Sequence, residues 1–462
     1  MPHQDQDGQK VRFNYQYLRQ ALDWLLRTAI FSSLTFRDDC TWTAQSLASA
    51  ALLWAWSDEA TLGERFESAR RIVQWLFPRQ QEPATSYQAF TKILQRWTSH
   101  FVTLLQAALR QRMQTALAER WLLHGFAVFG GDGSRVELPR TKSNEAAYAP
   151  AVTRKKRKRS RRGRQLDRSR ARKANSAQLW LTTLWHAATG LPWDWRLGPA
   201  DSSERGHLLQ MLASLPQSAL IAADAGFVGY EFLSGIVTSG RHFLVRVGSN
   251  IRLLRKLGLA RESEGLVYLW PDHAAQKNKP PLVLRLVIAQ GGKHPVYLIT
   301  SILSERRLSA RQVCDLYRLR WGIELFYRHL KQTYQRRKLR SATAENARLE
   351  LEWSLLGLWA MALYAQVELA RKQVPAHKIS MAGVLRAFRR MLRDYRHPSE
   401  PRCSLCRLIR CAIIDDYPRG NKASRVDIRR KHEQPPGPPD IRDATRAQID
   451  RAKRIVITAE KG

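Results

Sequence analysis

The sequence predicts an α/β layered domain flanked by helical segments, and three observations predict it. Apolar residues recur at helical spacing through YLRQALDWLLRTAIF and FVTLLQAALRQRMQTALAERWLL, so residues from about 13 to 120 read as mostly helical. From residue 126 the pattern changes to short apolar runs punctuated by glycine, aspartate and proline, which read as strands and turns. Those runs then alternate with helical stretches: SSERGHLLQMLASL as a helix, SALIAADAG as a strand ending at Asp224, another helix, and RHFLVRVG (241–248) as a strand. An antiparallel run leading into alternating helices and strands is the pattern of an α/β layer.

Each element has its own signal. EPATSYQAFTKILQRW carries a helix start at Ser86. The N-terminal helical segment holds no catalytic constellation, and reads either as a DNA-binding module or as a plain scaffold. FAVFGGDGSRVELP (126–139) reads as strand, tight turn, strand, with Asp132 at the turn. SAQLWLTTLWHAATGLPWDWRLGP (176–199) reads as a hairpin turning near Gly190. Within 250–303, GLVYLW, PPLVLRLVIAQ and HPVYLITSI are strand-like pieces, expected to form a β-rich insertion ahead of a long helix from 308. WSLLGLWAMALYAQV (353–367) falls short of the roughly 18–20 apolar residues that span a bilayer, and reads as a buried helix. EQPPGPPD (433–440) reads as a stiff linker before a final short helix. The expected layout is a helical N-terminal domain (1–122), a first core segment (123–249) containing a basic loop (153–173), the insertion (250–303), a second core segment (304–372), and C-terminal helices with a Pro-rich linker and tail (373–462).

Charge narrows the partner. Of 462 residues, 77 are Lys or Arg and 40 are Asp or Glu, a formal net charge of +37 with a pI near 10.8. Such an excess points to a polyanion, and nucleic acid is the commonest. A membrane surface finds little support, because no apolar run is long enough. The N-terminus MPHQDQDGQK has neither a basic n-region nor an apolar h-region, so no export is expected, and a cytoplasmic, nucleoid-associated protein is. Five cysteines, odd and sparse, fit a reducing compartment. Cys403, Cys406 and Cys411 with His397 would make a weak zinc set, since SLCRLIRCAI reads as an amphipathic helix without a second CxxC pair. TRKKRKRSRRGRQLDRSRARK (153–173), with Arg154, Lys155, Lys156, Arg157, Lys158 and Arg159 in a row, is a solubility or targeting tract by one reading. Its position inside a domain favours an arm that grips phosphate.

The chemistry lies in DLYRLRWGIELFYRHLKQTY (315–334). At about 100° per residue, Leu316, Leu319, Ile323, Phe326 and Leu330 form one buried stripe, with Tyr317, Arg320, Glu324 and Lys331 in a narrow stripe beside it. Taken alone, this is a solvated flank with Glu324 paired to Arg320 and Arg328. Two further acids stand among small residues, Asp132 in GGDG and Asp224 in ADAG, where a ligand can approach the backbone closely. Each has the plain reading of a turn residue. If the strands are neighbours and the helix crosses them, the three acids converge into an oxygen-ligand site for hard divalent cations. A pair of such ions roughly 3.5–4 Å apart serves phosphoryl transfer.

The helix reads Y-x2-R-x3-E-x6-K, which resembles the tyrosine–arginine–glutamate–lysine motif of the DDE transposases of the insertion-sequence 4 family. DGSRVELPRT, DAGFVGYEF and RWGIELFYRHLK are similar to that family's blocks for its first aspartate, second aspartate and glutamate, so the resemblance covers roughly 125–370. It implies a ribonuclease H-like core interrupted by a β-rich insertion between the second aspartate and the glutamate. It implies that Asp132, Asp224 and Glu324 bind two Mg²⁺ ions, with Mn²⁺ as a substitute. Tyr317, Arg320 and Lys331 would hold phosphates of the transposon end beside the cut. The implied reaction is cut-and-paste: cleavage leaves a 3′-hydroxyl, which makes a hairpin that is opened and joined to target. The implied partners are double-stranded DNA, as terminal inverted repeats and target, and a second copy of the chain in a synaptic complex. Trp321 and Trp270 are candidates for stacking on an unpaired base, with packing the favoured reading. The basic loop lies outside the motif and rests on charge alone. One rival is a ribonuclease H-like nuclease, which has no need of Tyr317, Arg320 and Lys331. The other is a non-catalytic DNA-binding protein, which would predict a damaged acid set.

Overall fold

Four helices open the chain in the computed structural model, which describes residues 4–78, 86–150, 177–261, 263–290, 294–393, 403–414 and 437–460. They are α1 (Gln4–Leu25), α2 (Ala44–Trp56), α3 (Leu62–Leu76) and α4 (Tyr87–Ala116). The hydroxyls of Thr43, Thr61 and Ser86 each accept a backbone N–H in the first turn of α2, α3 and α4. Each thereby satisfies a donor that the helix itself leaves open. The Ser86 start is the one expected from sequence. Almost every residue of α2 is buried, as an all-round apolar helix requires.

Among the described residues ten strands then build one mixed sheet, in the order β10-β6-β7-β8-β9-β5-β4-β1-β2-β3. β1 (Ala127–Glu137), β2 (Gln178–His186) and β3 (Leu191–Gly198) form an antiparallel meander, and Gly190, at φ +68°, makes the second turn. α5 (Lys142–Tyr148) lies in the β1–β2 connection. α6 (Glu204–Met211) leads into β4 (Ala219–Ala223), parallel to β1, and α7 (Tyr230–Thr238) into β5 (His242–Val247), parallel to β4. β6 (Arg252–Arg255), β7 (Leu266–Leu269), the short α8 (Asp272–Gln276), β8 (Leu282–Ala289) and β9 (Val296–Thr300) follow. β9 pairs with β5, so the strand-like pieces of 250–303 lengthen the same sheet and do not form a second one.

Among the described residues the remaining helices are α9 (Ala310–Leu319), α10 (Gly322–Arg328), α11 (Ala344–Ala370), α12 (Met381–Leu392), α13 (Leu405–Arg410) and α14 (Arg446–Glu460). α11 carries the apolar run expected to be buried, and it is the hub of the core. The Trp56 indole donates to the Gly357 carbonyl at 2.9 Å, and the Trp353 indole to the Thr98 hydroxyl at 3.0 Å. Buried Arg336 donates to the Ala55 carbonyl at 3.1 Å and to the Ser354 hydroxyl at 2.8 Å. α2 and α4 therefore share one hydrophobic core with α11. Among the described residues, no helix is long and apolar enough to cross a membrane.

Three expectations are corrected. GGDG is not a turn: β1 runs unbroken through Gly130–Gly133, because β2 pairs with it from Phe129↔His186 to Glu137↔Gln178 and holds the glycines extended. A tenth strand, β10 (Asp440–Asp443), begins on the last residue of the expected linker. It lies parallel to β6, and cross-strand ion pairs fix it, Arg252 to Asp440 at 3.2 Å and Lys256 to Asp443 at 2.8 Å. The long helix from 308 is broken into α9, α10 and a π-helical turn (His329–Thr333). That break shapes the site.

Candidate active site

Two acids are set side by side by the sheet. β1 and β4 are adjacent and parallel, in register at Gly130↔Ala222. Two residues beyond that last pair stand Asp132, within β1, and Asp224, just past the end of β4, and each carboxylate lies within electrostatic reach of the other. The position is the carboxyl end of β4, beside the middle of the longer β1, and open α/β sheets present their ligand sites at such strand ends. Each backbone is anchored. The Tyr327 hydroxyl donates to the Asp132 carbonyl at 2.7 Å. One Asp224 carboxylate oxygen accepts from the Gly226 N–H at 2.8 Å, and Arg205 in turn donates twice to the Gly226 carbonyl, at 3.0 and 2.7 Å. Burial pushes the Asp132 carboxyl up to about 6, and the nearby charges of Asp224 and Glu324 push the same way, against Arg320 and the Gly133 N–H.

Glu324 arrives from the broken helix. Between Tyr317 and Glu324 the backbone winds tightly, with i→i−3 hydrogen bonds from Arg320 to Tyr317 at 3.1 Å and from Glu324 to Trp321 at 3.1 Å. Uniform winding put Leu319 on the buried stripe; the tight turn swings it out, to 39% exposure. The same turn buries Tyr317 and Arg320, each 8% exposed, where the stripe placed them at an edge. Arg320 pairs with Glu324 at 3.6 Å, and Glu324 itself stays exposed. Arg320 Nε and the Tyr317 hydroxyl are buried polar atoms with no hydrogen-bond partner among the described residues. Lys331 lies on the π-helical turn and donates to the Ser134 hydroxyl on β1 at 2.7 Å. Burial lowers its pKa, helped by Arg337.

Asp132, Asp224, Glu324, Arg320, Tyr317 and Lys331 thus fall in one electrostatic neighbourhood. Their donor chemistry fits a hard divalent cation: carboxylates of like charge, one of them half-buried, with cationic donors beside them. The side chains are not gathered around a single point, since no group of three His, Cys, Asp or Glu among the described residues could already hold an ion. Glu324 leans on Arg320 instead. Arg154, Lys155, Lys156, Arg157, Lys158 and Arg159 lie outside the described residues. Trp321 is 57% exposed with the Arg320 guanidinium 5.3 Å from its ring, so the packing reading fails for it. Trp270 is buried and donates to the Lys279 carbonyl at 2.8 Å, so it packs. Cys403, Cys406 and Cys411 are free thiols and part of no metal group among the described residues; His397 lies outside them.

Sequence reasoning passed over two parts of this arrangement. Tyr327, buried between α10 and the sheet, reads in sequence as one more aromatic of the buried stripe. The second is the contact between Gly322 and Trp185. A Cβ at Gly322 would run into the Trp185 ring, which is buried on β2. Gly322 starts α10 two residues before Glu324, so only glycine lets this helix seat against the sheet. Gly322→Ala is expected to cost about 1–3 kcal/mol, the usual scale of overpacking, and to displace Glu324. Denaturant midpoints check this. An unchanged midpoint would mean the indole moves aside freely.

Residues 132–360 match the family described as transposase DDE domain. The chain is 30% identical over 184 residues to the transposase InsG of insertion sequence element IS4 from Escherichia coli (strain K12), covering 37% of this chain and 40% of that protein. The match therefore spans about two fifths of that relative's length. Among solved structures it is similar to the piggyBac transposase in a synaptic complex with hairpin DNA, at a TM-score of 0.41 and 12% identity, over 87% of this chain and 86% of that one. The domain match, which contains Asp132, Asp224 and Glu324, and the identity to an IS4 transposase support a DDE transposase of the insertion-sequence 4 family.

Proposed function

We propose that the chain catalyses divalent-metal-dependent cleavage of DNA at transposon ends and joins the freed end to target DNA by a cut-and-paste route. The observation that carries this reading is that Asp132 on β1, Asp224 just past the end of the adjacent β4 and Glu324 on α10 lie within electrostatic reach of one another. The strand order β3-β2-β1-β4-β5, three antiparallel and then two parallel, supports a ribonuclease H-like core for 123–249 and 304–372, with 250–303 as its insertion. Asp132, Asp224 and Glu324 would hold Mg²⁺ or Mn²⁺, and a bound ion pair supplies positive charge at the attacking and leaving oxygens of the phosphodiester.

The chain's own residues do the positioning. Tyr317 and Arg320 keep buried donors beside the acids that are unpartnered among the described residues, and a phosphate is the ligand that satisfies both. Lys331 can exchange its Ser134 contact for a phosphate oxygen. Such contacts fix register without reading sequence, so recognition of the terminal repeats falls to other surfaces. Water would attack phosphorus and release a 3′-hydroxyl, which then attacks the opposite strand to form a hairpin. Pairing two ends calls for a dimer on DNA. The phosphate-facing donors favour this reading over a plain nuclease, and the intact acids favour it over a non-catalytic binder.

The test is a nicking assay on duplex DNA carrying the gene's own flanking repeats. Cutting at the repeat boundary is expected with Mg²⁺, and is expected to vanish with chelator and in Asp132→Asn. Tight, salt-sensitive binding by folded wild-type protein with no cutting would overturn the enzyme reading in favour of a DNA-binding protein.

A further inference from the structure

Glu204 is an acid that neither the family motif nor the three-carboxylate reading uses. It is the first residue of α6, after the Ser203 cap. α6 packs on the face of β1 opposite α10: Leu208 meets Gly131, while Ile323 meets Gly130 from the other side. At the end of that face the Glu204 carboxyl lies against Gly133, in the space a Cβ would fill. The lack of a side chain at residue 133 is what lets this carboxyl reach the strand one residue beyond Asp132. Asp132 and Asp224 both act electrostatically on Glu204, and both oppose its charge.

The surroundings do not satisfy this acid. It is half-buried and has no hydrogen-bond or ion-pair partner among the described residues. The two arginines within reach are committed elsewhere, Arg135 over the Trp180 ring and Arg205 on the Gly226 carbonyl. A half-buried carboxylate near two others, with no hydrogen-bond donor among the described residues and Arg135 and Arg205 acting on it only through their charge, is left without a direct positive ligand. A separate observation also points to a missing ligand here. Across the strand, Arg320 Nε and the Tyr317 hydroxyl are buried with no hydrogen-bond partner among the described residues, and a phosphate held beside a cation is the acceptor they lack.

We propose that Glu204 is a fourth carboxylate of the divalent-cation site, joining Asp132 and Asp224 from the face of the sheet opposite Glu324. This rests on the reading that Asp132, Asp224 and Glu324 hold the metal. Its consequence is that Gly133 is part of the site as well, because any side chain there evicts Glu204. In Gly133→Ala the atoms in the way are the flexible end of Glu204 itself, so the variant folds and moves only the carboxyl.

The experiment is a Mn²⁺ titration of the full chain without DNA, read by the loss of the free-ion electron paramagnetic resonance signal. It compares wild type, Asp132→Asn, Glu204→Gln, Gly133→Ala, and the last two combined. Glu204→Gln and Gly133→Ala are each expected to weaken Mn²⁺ binding by about tenfold, with no further loss in the double variant. Should Glu204→Gln not fold, Gly133→Ala carries the comparison. If Asp132→Asn loses Mn²⁺ while both other variants bind like wild type, Glu204 is outside the site and the three-acid reading stands. If Asp132→Asn also binds like wild type, that reading falls, and the role of Glu204 with it.

Discussion

Glu324→Gln is expected to abolish strand cleavage while sparing DNA binding. Glu324 sits exposed on α10, and among the described residues its ion pair is the 3.6 Å contact with the buried Arg320. The change removes a single charge and keeps the side chain's shape, so the helix and its seat on Trp185 persist. A carboxylate that neutralises a cation is worth at least as much to the reaction as one preorganised donor to a developing charge, and losing such a donor costs roughly 10²–10³ in rate. Binding moves the other way, if at all. The lost charge repelled phosphate, and it also frees Arg320 for a phosphate oxygen. Single-turnover nicking and fluorescence anisotropy on the same duplex separate the two effects. Cleavage at the wild-type rate would remove Glu324 from the site. Equal losses in cleavage and binding would make it a DNA contact or a structural residue instead.

The sequence carried the constituents of this site better than their geometry. Asp224 at a strand end, the Ser86 helix start, the Gly190 turn and the buried run of α11 each follow from local chemistry, which a short window of residues contains. The stripe of residues 315–334 was legible in composition and wrong in angle. Uniform winding cannot anticipate a stretch of i→i−3 bonds, and it is that stretch which buries Tyr317 and Arg320 and exposes Leu319. GGDG was read as a turn because glycine-rich segments usually are. Pairing with β2 along the whole strand decided otherwise, and that partner lies some 50 residues away. Gly133 and Gly322 are necessary for long-range reasons too. One makes room for Glu204 and the other for Trp185, and neither neighbour is adjacent in the chain. β10 escaped notice because a four-residue strand held by ion pairs has no hydrophobic period to read.

Asp132→Asn, which should be inactive, is expected to be more stable than wild type when metal is absent. Burial chiefly, and the charges of Asp224 and Glu324 in addition, raise the Asp132 carboxyl from an ordinary 3.8 to about 6. The folded protein therefore holds this proton more tightly than the unfolded chain does. The stabilising contribution is complete below pH 3.8 and is lost as pH rises through about 6. Above that pH the ionised acid weakens the fold by on the order of 2–3 kcal/mol. Asparagine carries no charge, and its amide oxygen can still accept the Gly133 N–H. In chelator at pH 8 the variant should show the higher denaturant midpoint, and the gap should shrink as pH falls from 6 towards 4. Saturating Mg²⁺ should then reverse the order, because a cation that binds only the folded wild type stabilises it by mass action. Those two results together would mean that the apo site stores like-charge repulsion that its metal relieves. A variant no more stable than wild type in chelator would show that Asp132 is already neutralised within the protein, and the site would then have no need of a cation at that residue.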